Sequence, residues 1–98
     1  MSIIKIHRPS LEERKRLDIP ETPQASGPWA VWEGAPSSFE WRYADWEIAY
    51  VYEGRVLVTT ENGEVEITAG DMVTFPKGLT CTWKILEKIC KVYKFESD

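Results

Sequence analysis

The 98-residue chain has a single histidine, His7, and only two cysteines, Cys81 and Cys90. One histidine cannot build the multi-histidine centres on which many metalloenzymes depend. The cysteines do not form a C-x-x-C pair, which excludes a zinc knuckle or a thioredoxin-type redox site. Because the N-terminus resembles no secretory signal, we expect both cysteines to be reduced thiols.

Long apolar runs and excess positive charge are also lacking. No run approaches the roughly 18 apolar residues that span a bilayer. The formal net charge is −4 and the isoelectric point is near 5.0, whereas nucleic acids and anionic membranes need a net basic face. The mixed run at 12–16 indicates a solvated helix face. We predict a cytosolic protein with neither nucleic-acid nor membrane partners.

The hydrophobic share of 43% and the aromatic share of 12% suffice for one autonomously folded domain. A helix is predicted over residues 9–18, where Ser10 as N-cap and Glu13 three residues later form a capping-box pattern. Leu11 and Leu17 are expected to face the body of the protein. A proline-rich loop should follow, so residues 1–28 are predicted to form an N-terminal helix and loop arm.

From Trp29 onward the pattern predicts strands and turns. Asn62-Gly63 between two alternating segments indicates a hairpin, because both residues tolerate positive φ in a type I′ turn. About eight short strands with regular breaks favour a closed barrel or sandwich over residues 29–95. The predicted strands are 29–33, 39–43, 47–53, 55–60, 64–68, 72–75, 81–86 and 89–95.

Two glycine-anchored segments, Glu47–Gly54 and Gly70–Ile85, resemble the two halves of a cupin barrel. The stretch G-D-M-V-T-F-P-K-G at 70–78, with Trp83 and the later K-V-Y at 91–93, is similar to a small single-domain branch of the superfamily. This branch is similar to the ureidoglycine aminohydrolase cupin domain. The resemblance covers about residues 29–95. It implies an all-β fold, a small double-stranded β-helix (an RmlC-like jelly roll) with a short N-terminal helix, and paired barrels, hence a homodimer.

Metal-binding members of the family carry two histidines before the motif glutamate and a third one later. The resemblance places Trp41 and Tyr43, Glu47 and Cys81 at these four positions. If strand parity holds, Trp41, Tyr43 and Glu47 all point inward. Glu47 and Cys81 supply two donors and Tyr43 a poor third, whereas a transition-metal site needs three or four. We therefore expect no metal and no other cofactor.

Three residues of this corner are candidate catalytic groups: Glu47, Cys81 and Tyr43. A carboxylate enclosed by Trp and Tyr rings is poorly hydrated and suited to acid/base work. Glu47 could equally be a structural residue, hydrogen-bonded to Tyr43 or a strand neighbour. Cys81 could act as a nucleophile, but His7 lies far from the motif and a buried cysteine is usually an inert hydrophobic residue.

Four further residues are candidate ligand contacts. Trp41 and Trp83 could stack on a planar or sugar-like ligand, or could simply fill the barrel. Lys91 and Tyr93 alternate on the last strand and could hold an anionic group at the barrel mouth, although solvated strand lysines are common.

These residues predict a small-molecule-binding cupin, an enzyme acting on a small polar metabolite without a tightly bound histidine-ligated metal, with Glu47 as acid/base. Two alternatives remain open. One is a non-catalytic module that binds the small molecule without turnover. The other is a dimeric structural protein with a fully packed barrel.

Overall fold

The computed structural model describes residues 3–96. Within this range the strands pair antiparallel in one sheet of order β1-β6-β4-β7-β2, with β3 paired to β7 and β5 paired to β4. No helix in these residues is long and apolar enough to cross a membrane. The elements are β1 (Lys5–His7), α1 (Leu11–Arg16), β2 (Ala30–Gly34), β3 (Ser37–Arg42), β4 (Trp46–Thr60), β5 (Gly63–Thr68), β6 (Met72–Phe75) and β7 (Thr80–Glu96).

The long strands β4 and β7 pair with each other and belong to both halves of the barrel. In one half, residues 46–51 of β4 pair with residues 91–96 of β7, and this pair is flanked by β6 and β2. The other ends, 55–60 and 80–85, are flanked by β5 and β3. Register shifts between residues 51 and 56 separate the halves, as expected where a β-bulge bends a strand. This is the all-β jelly roll that the sequence predicts.

The prediction of eight short strands is wrong for β4 and β7, because it divides each of these long strands into two. The segments 47–53 and 55–60 are one strand, and so are 81–86 and 89–95. Gly54, with φ of +106°, bends β4 but does not end it. The chain can bend here without breaking because glycine adopts positive φ at little cost.

The N-terminal arm contributes strand β1, which the sequence pattern did not predict. β1 pairs with β6 from Lys5↔Thr74 to His7↔Met72. Ile4 and Ile6 pack against the main core, whereas His7 is exposed and contacts Glu13 at 3.0 Å. A three-residue strand is too short for alternation to identify, so only its pairing partner defines it.

The predicted helix is confirmed, with Ser10 as its N-cap. The Ser10 hydroxyl accepts a hydrogen bond from the Glu13 amide at 3.1 Å, which satisfies one of the free donors of the first turn. Leu17 packs against a core cluster, as expected. The expectation for Leu11 is wrong, since it is 57% exposed. On so short a helix only one leucine reaches the barrel.

Two apolar clusters lie on opposite faces of the strands. The barrel interior holds inward residues of both halves, including Val51, Val56 and Trp83. The second cluster lies beneath the N-terminal arm and includes Trp29 and Tyr50. Because side chains alternate along a strand, residues 47, 49 and 51 of β4 face the interior and residues 48, 50 and 52 face the arm. This alternation directs Glu47 into the barrel.

Candidate functional site

A pocket of about 300 Å³ opens into one end of the barrel. Its wall is predominantly aromatic, and two charged side chains contribute to it. The wall residues come from β2, β3, β4 and β7, together with the residue that follows β3. They are Trp32, Phe39, Trp41, Tyr43, Glu47, Trp83, Lys91, Tyr93 and Phe95.

The two charged residues form a buried ion pair. Lys91 Nζ donates to Glu47 Oε2 at 3.0 Å, and their side chains are only 8% and 7% exposed. In the β4–β7 ladder Glu47 lies opposite Phe95, and Lys91 lies opposite Val51. The two residues therefore share the inward face but not a rung, and their long side chains bridge the offset.

Four aromatic rings surround the ammonium group of Lys91. Its Nζ lies 4.7 Å from the ring centroid of Trp83 and 5.4 Å from that of Tyr93. The corresponding distances to Trp32 and Phe75 are 5.5 and 5.9 Å. These separations are within the range of cation–π attraction. We call Trp32, Phe75, Trp83 and Tyr93 the aromatic cage.

Burial lowers the pKa of Lys91 below the ordinary lysine value, and the Glu47 carboxylate opposes this change. Removing both charges from water is unfavourable, and a buried pair is commonly no more stabilising than well-packed apolar residues of similar size. An ion pair inside an open pocket therefore suggests a use in binding or chemistry.

Tyr43 is held rigidly beside the pair. Its hydroxyl accepts a hydrogen bond from Trp83 Nε1 at 3.2 Å, and its ring stacks on Phe75 at 4.6 Å. Its backbone bonds to Gly78 and Leu79 anchor the segment after β3. Burial, with a smaller contribution from Glu47, raises the pKa of Tyr43 well above the ordinary tyrosine value. The phenol therefore stays neutral and keeps its proton, so it can orient a ligand by hydrogen bonding but is a poor proton donor in a reaction.

Trp41, Tyr43 and Glu47 were expected to point inward because alternating residues of one strand share a face. They do not lie on one strand, although all three line the pocket. Trp41 belongs to β3 and Glu47 to β4, with Tyr43 in the connection between them. Trp41 is 52% exposed and lies at the rim, as does Phe95. The predicted strands 39–43 and 47–53 already have a break between them, so alternation could not be carried from Trp41 to Glu47.

Cys81 lies opposite Trp41 on the β3–β7 ladder, and it is buried and absent from the pocket wall. The predicted shared face of Cys81, Trp83 and Ile85 is confirmed, since all three are buried and alternate with exposed residues. Burial raises the pKa of Cys81 to about 11, although the Trp83 side chain lowers it. A thiol with this pKa is a weak nucleophile at neutral pH, so the geometry does not support a nucleophilic role.

We expect both cysteines of the folded protein to resist iodoacetamide at pH 7.5, because alkylation requires an accessible thiolate. Burial raises the pKa of both Cys81 and Cys90. Intact mass measured with and without denaturant gives the test. Rapid alkylation of native Cys81 would contradict this expectation and restore the cysteine as a candidate nucleophile.

The residues in the family's metal-binding positions do not fit a metal ion. In residues 3–96 no three His, Cys, Asp or Glu side chains converge on one point. Glu47 already has a cation beside it, since the Lys91 ammonium lies 3.0 Å from its carboxylate. A divalent ion added at this point would be repelled by the ammonium.

Three residues of the pocket wall, Phe39, Phe95 and Trp32, were not among the candidates predicted from the sequence. Period-two alternation could have identified two of them. Phe39 lies two residues before Trp41, and Phe95 lies two residues after Tyr93. Trp32 comes from β2, and its place beside Lys91 depends on the β2–β7 register, which alternation cannot supply.

The two-part antiparallel barrel with a pocket at one end defines a cupin. The model of the EutQ-like cupin domain matches residues 21–93, and the chain belongs to this family. A DUF861-family protein from Thermotoga maritima is 42% identical, with a TM-score of 0.86 over 96% of this chain and 100% of that one. No match was found among curated proteins.

Two longer proteins share the fold over part of their length. A DUF861-family protein from Pseudomonas syringae is 27% identical, covering 69% of this chain and 30% of that one, with a TM-score of 0.63. The Clostridium difficile EutQ protein is 21% identical, covering 71% of this chain and 56% of that one, with a TM-score of 0.64. The latter shows likeness of fold alone.

Proposed function

We propose that the protein binds a small, polar, ring-containing metabolite in the aromatic pocket and that Glu47 acts on it as the acid/base. The observation that carries this proposal is the buried Glu47–Lys91 pair on the wall of a 300 Å³ cavity. That volume matches the lower end of ordinary small-molecule sites. Aromatic walls with a few convergent polar groups are typical of such sites.

The walls favour a planar ligand. Phe39 and Trp83 stack with ring centroids 6.0 Å apart and planes 17° apart, and Trp32 meets both of them edge-on. A flat ring between Trp83 and the exposed rim residue Trp41 would bury apolar area on both faces. Trp41 and Trp83, predicted as stacking residues, serve as ligand contacts in this proposal, and Lys91 and Tyr93 border the polar end.

The ion pair provides both a donor and an acceptor at the polar end. Lys91 carries three N–H donors, one of which is directed to Glu47. In the proposed reaction Glu47 removes a proton from the ligand, and the Lys91 ammonium stabilises the negative charge that develops. Tyr43 positions the ligand through its neutral hydroxyl. The homodimer and the cytosolic location stay predictions.

Glu47→Gln tests this assignment in a screen of small heterocyclic metabolites, with tryptophan fluorescence reporting binding and chromatography reporting turnover. We expect turnover to fall by about 100-fold or more, the usual contribution of a positioned acid/base. Glu40→Gln, on an exposed position of β3, is the matched control and should leave turnover unchanged. Full activity of Glu47→Gln would refute the catalytic role, and saturable binding without any product would support the non-catalytic alternative.

A further inference from the structure

We propose that Lys91 forms a Schiff base with the carbonyl carbon of an uncharged aromatic aldehyde bound in the pocket. This inference rests on the proposed small-molecule site and names both its ligand class and a covalent step. It assigns to Lys91 a role as reacting group, beyond the contact with an anion that the sequence suggests.

Lys91 differs from the other lysines in the described part of the chain. Lys91 lines the cavity and its side chain is 8% exposed, whereas Lys94 is half-buried and five others are exposed. A desolvated lysine beside a proton acceptor is the usual form of an amine nucleophile. The exposed lysines are Lys5, Lys15, Lys77, Lys84 and Lys88.

Glu47 supplies the proton transfers that the reaction needs. At a distance of 3.0 Å its Oε2 can accept a proton from the Lys91 ammonium and free the amine lone pair. The amine attacks the carbonyl carbon, a C–N bond forms, and the carbonyl oxygen takes the proton from Glu47 to give a carbinolamine. Glu47 then takes a proton from the carbinolamine nitrogen and passes it to the hydroxyl group, so the C–O bond breaks and water leaves. Overall an ammonium and an aldehyde become a protonated imine and one water, with the positive charge conserved.

The surroundings of Lys91 suit the protonated imine as well as they suit the ammonium. The positive charge stays on nitrogen, so the aromatic cage and the Glu47 carboxylate still face a cation. Burial lowers the pKa of Lys91, which increases the share of neutral amine available for attack. The site can therefore favour the reactant amine and still stabilise the product.

The same charges select the ligand class. The pocket already contains one carboxylate, whose charge Lys91 balances. A second anion would be opposed by Glu47, and among residues 3–96 no further cationic side chain lines the pocket to offset that repulsion. The aromatic wall favours a flat apolar body. An aldehyde carried on an aromatic ring combines both requirements, with the carbonyl group directed towards the ion pair.

The test is reductive trapping of the unmodified protein with benzaldehyde and sodium cyanoborohydride at neutral pH, followed by peptide mass spectrometry. Lys84, exposed on the same strand, is the internal reference. We expect Lys91 to be benzylated about tenfold or more faster than Lys84, because binding holds the carbonyl group against Nζ. With 4-carboxybenzaldehyde this preference should disappear, while labelling of Lys84 continues.

Tryptophan fluorescence measured with benzaldehyde alone tests binding in the pocket separately from formation of the Schiff base. Saturable quenching without benzylation of Lys91 would overturn the Schiff base and leave the binding pocket in place. Equal labelling of Lys84 and Lys91 would also overturn it, since Lys91 would then be an ordinary amine. Absence of both quenching and Lys91 labelling would contradict the Schiff base and the aromatic ligand site together.

Discussion

Lys91→Met is expected to lower the free energy of unfolding by about 3–5 kcal/mol at neutral pH. The substitution leaves the Glu47 carboxylate 7% exposed and without its cation. It also removes the cation at the centre of the aromatic cage. Methionine has nearly the volume of the lysine stem, so the loss arises mainly from the unpaired charge. Urea denaturation followed by circular dichroism provides the measurement.

The double substitution Glu47→Gln/Lys91→Met should recover most of that loss, because replacing a whole buried pair with uncharged groups is often neutral or stabilising. Lys88→Met is the surface control. Lys88 and Glu33 lie 3.5 Å apart with side chains 60% and 55% exposed, so their attraction is screened by water and the change should be small. A double variant as unstable as Lys91→Met would show that packing, rather than charge, accounts for the effect.

If the double variant is at least as stable as the wild type, the pair is a functional feature. The fold would then retain two charges that it does not need for stability, in a place where a ligand can reach them. Such an outcome is expected of a site rather than of a core. It would favour the binding or catalytic hypotheses over the fully packed structural barrel.

The parts of the fold that could be predicted from sequence are those that local chemistry determines. The Ser10 cap and the hairpin at 60–63 depend on residues within a few positions of one another, and both are present. The predicted type I′ turn over Asn62-Gly63 is wrong, because Thr60 pairs with Gly63 and the loop residues are Glu61 and Asn62; of the two predicted turn residues only Gly63 has a positive φ. The jelly-roll barrel was predicted because the two glycine-anchored segments resemble the two halves of a cupin barrel. β1 escaped prediction because only its pairing with β6 distinguishes it from a loop.

The candidate site could be predicted less completely, because its geometry depends on residues that are far apart in the sequence. Glu47 and Lys91 were each selected from sequence, but nothing predicted that they form a pair, since 44 residues and the β4–β7 register separate them. Alternation gives the face of a residue but not its neighbour on the next strand. Cys81 was over-valued for the same reason, because sequence shows its position in the motif but not its distance from the cavity.

Gly54→Ala is expected to destabilise the protein by about 4 kcal/mol or more, from backbone strain and steric overlap combined. Gly54 has φ of +106°, a conformation that an L side chain rarely adopts. A Cβ there would lie 2.6 Å from the Ile89 Cα and closer still to the Lys88 carbonyl oxygen. Both are backbone atoms of β7, so no side chain can rotate aside.

Gly63→Ala separates the two contributions. Its φ of +119° is as unfavourable for alanine, but a Cβ there meets no atom within 4 Å. Strain alone should lower its stability by about 1–3 kcal/mol. The excess at Gly54, measured by urea denaturation of both variants, then reports the close contact of β4 with β7 at the bend that joins the barrel halves. Equal losses would mean that β7 yields at residues 88–89, and that the bend needs glycine only for its φ.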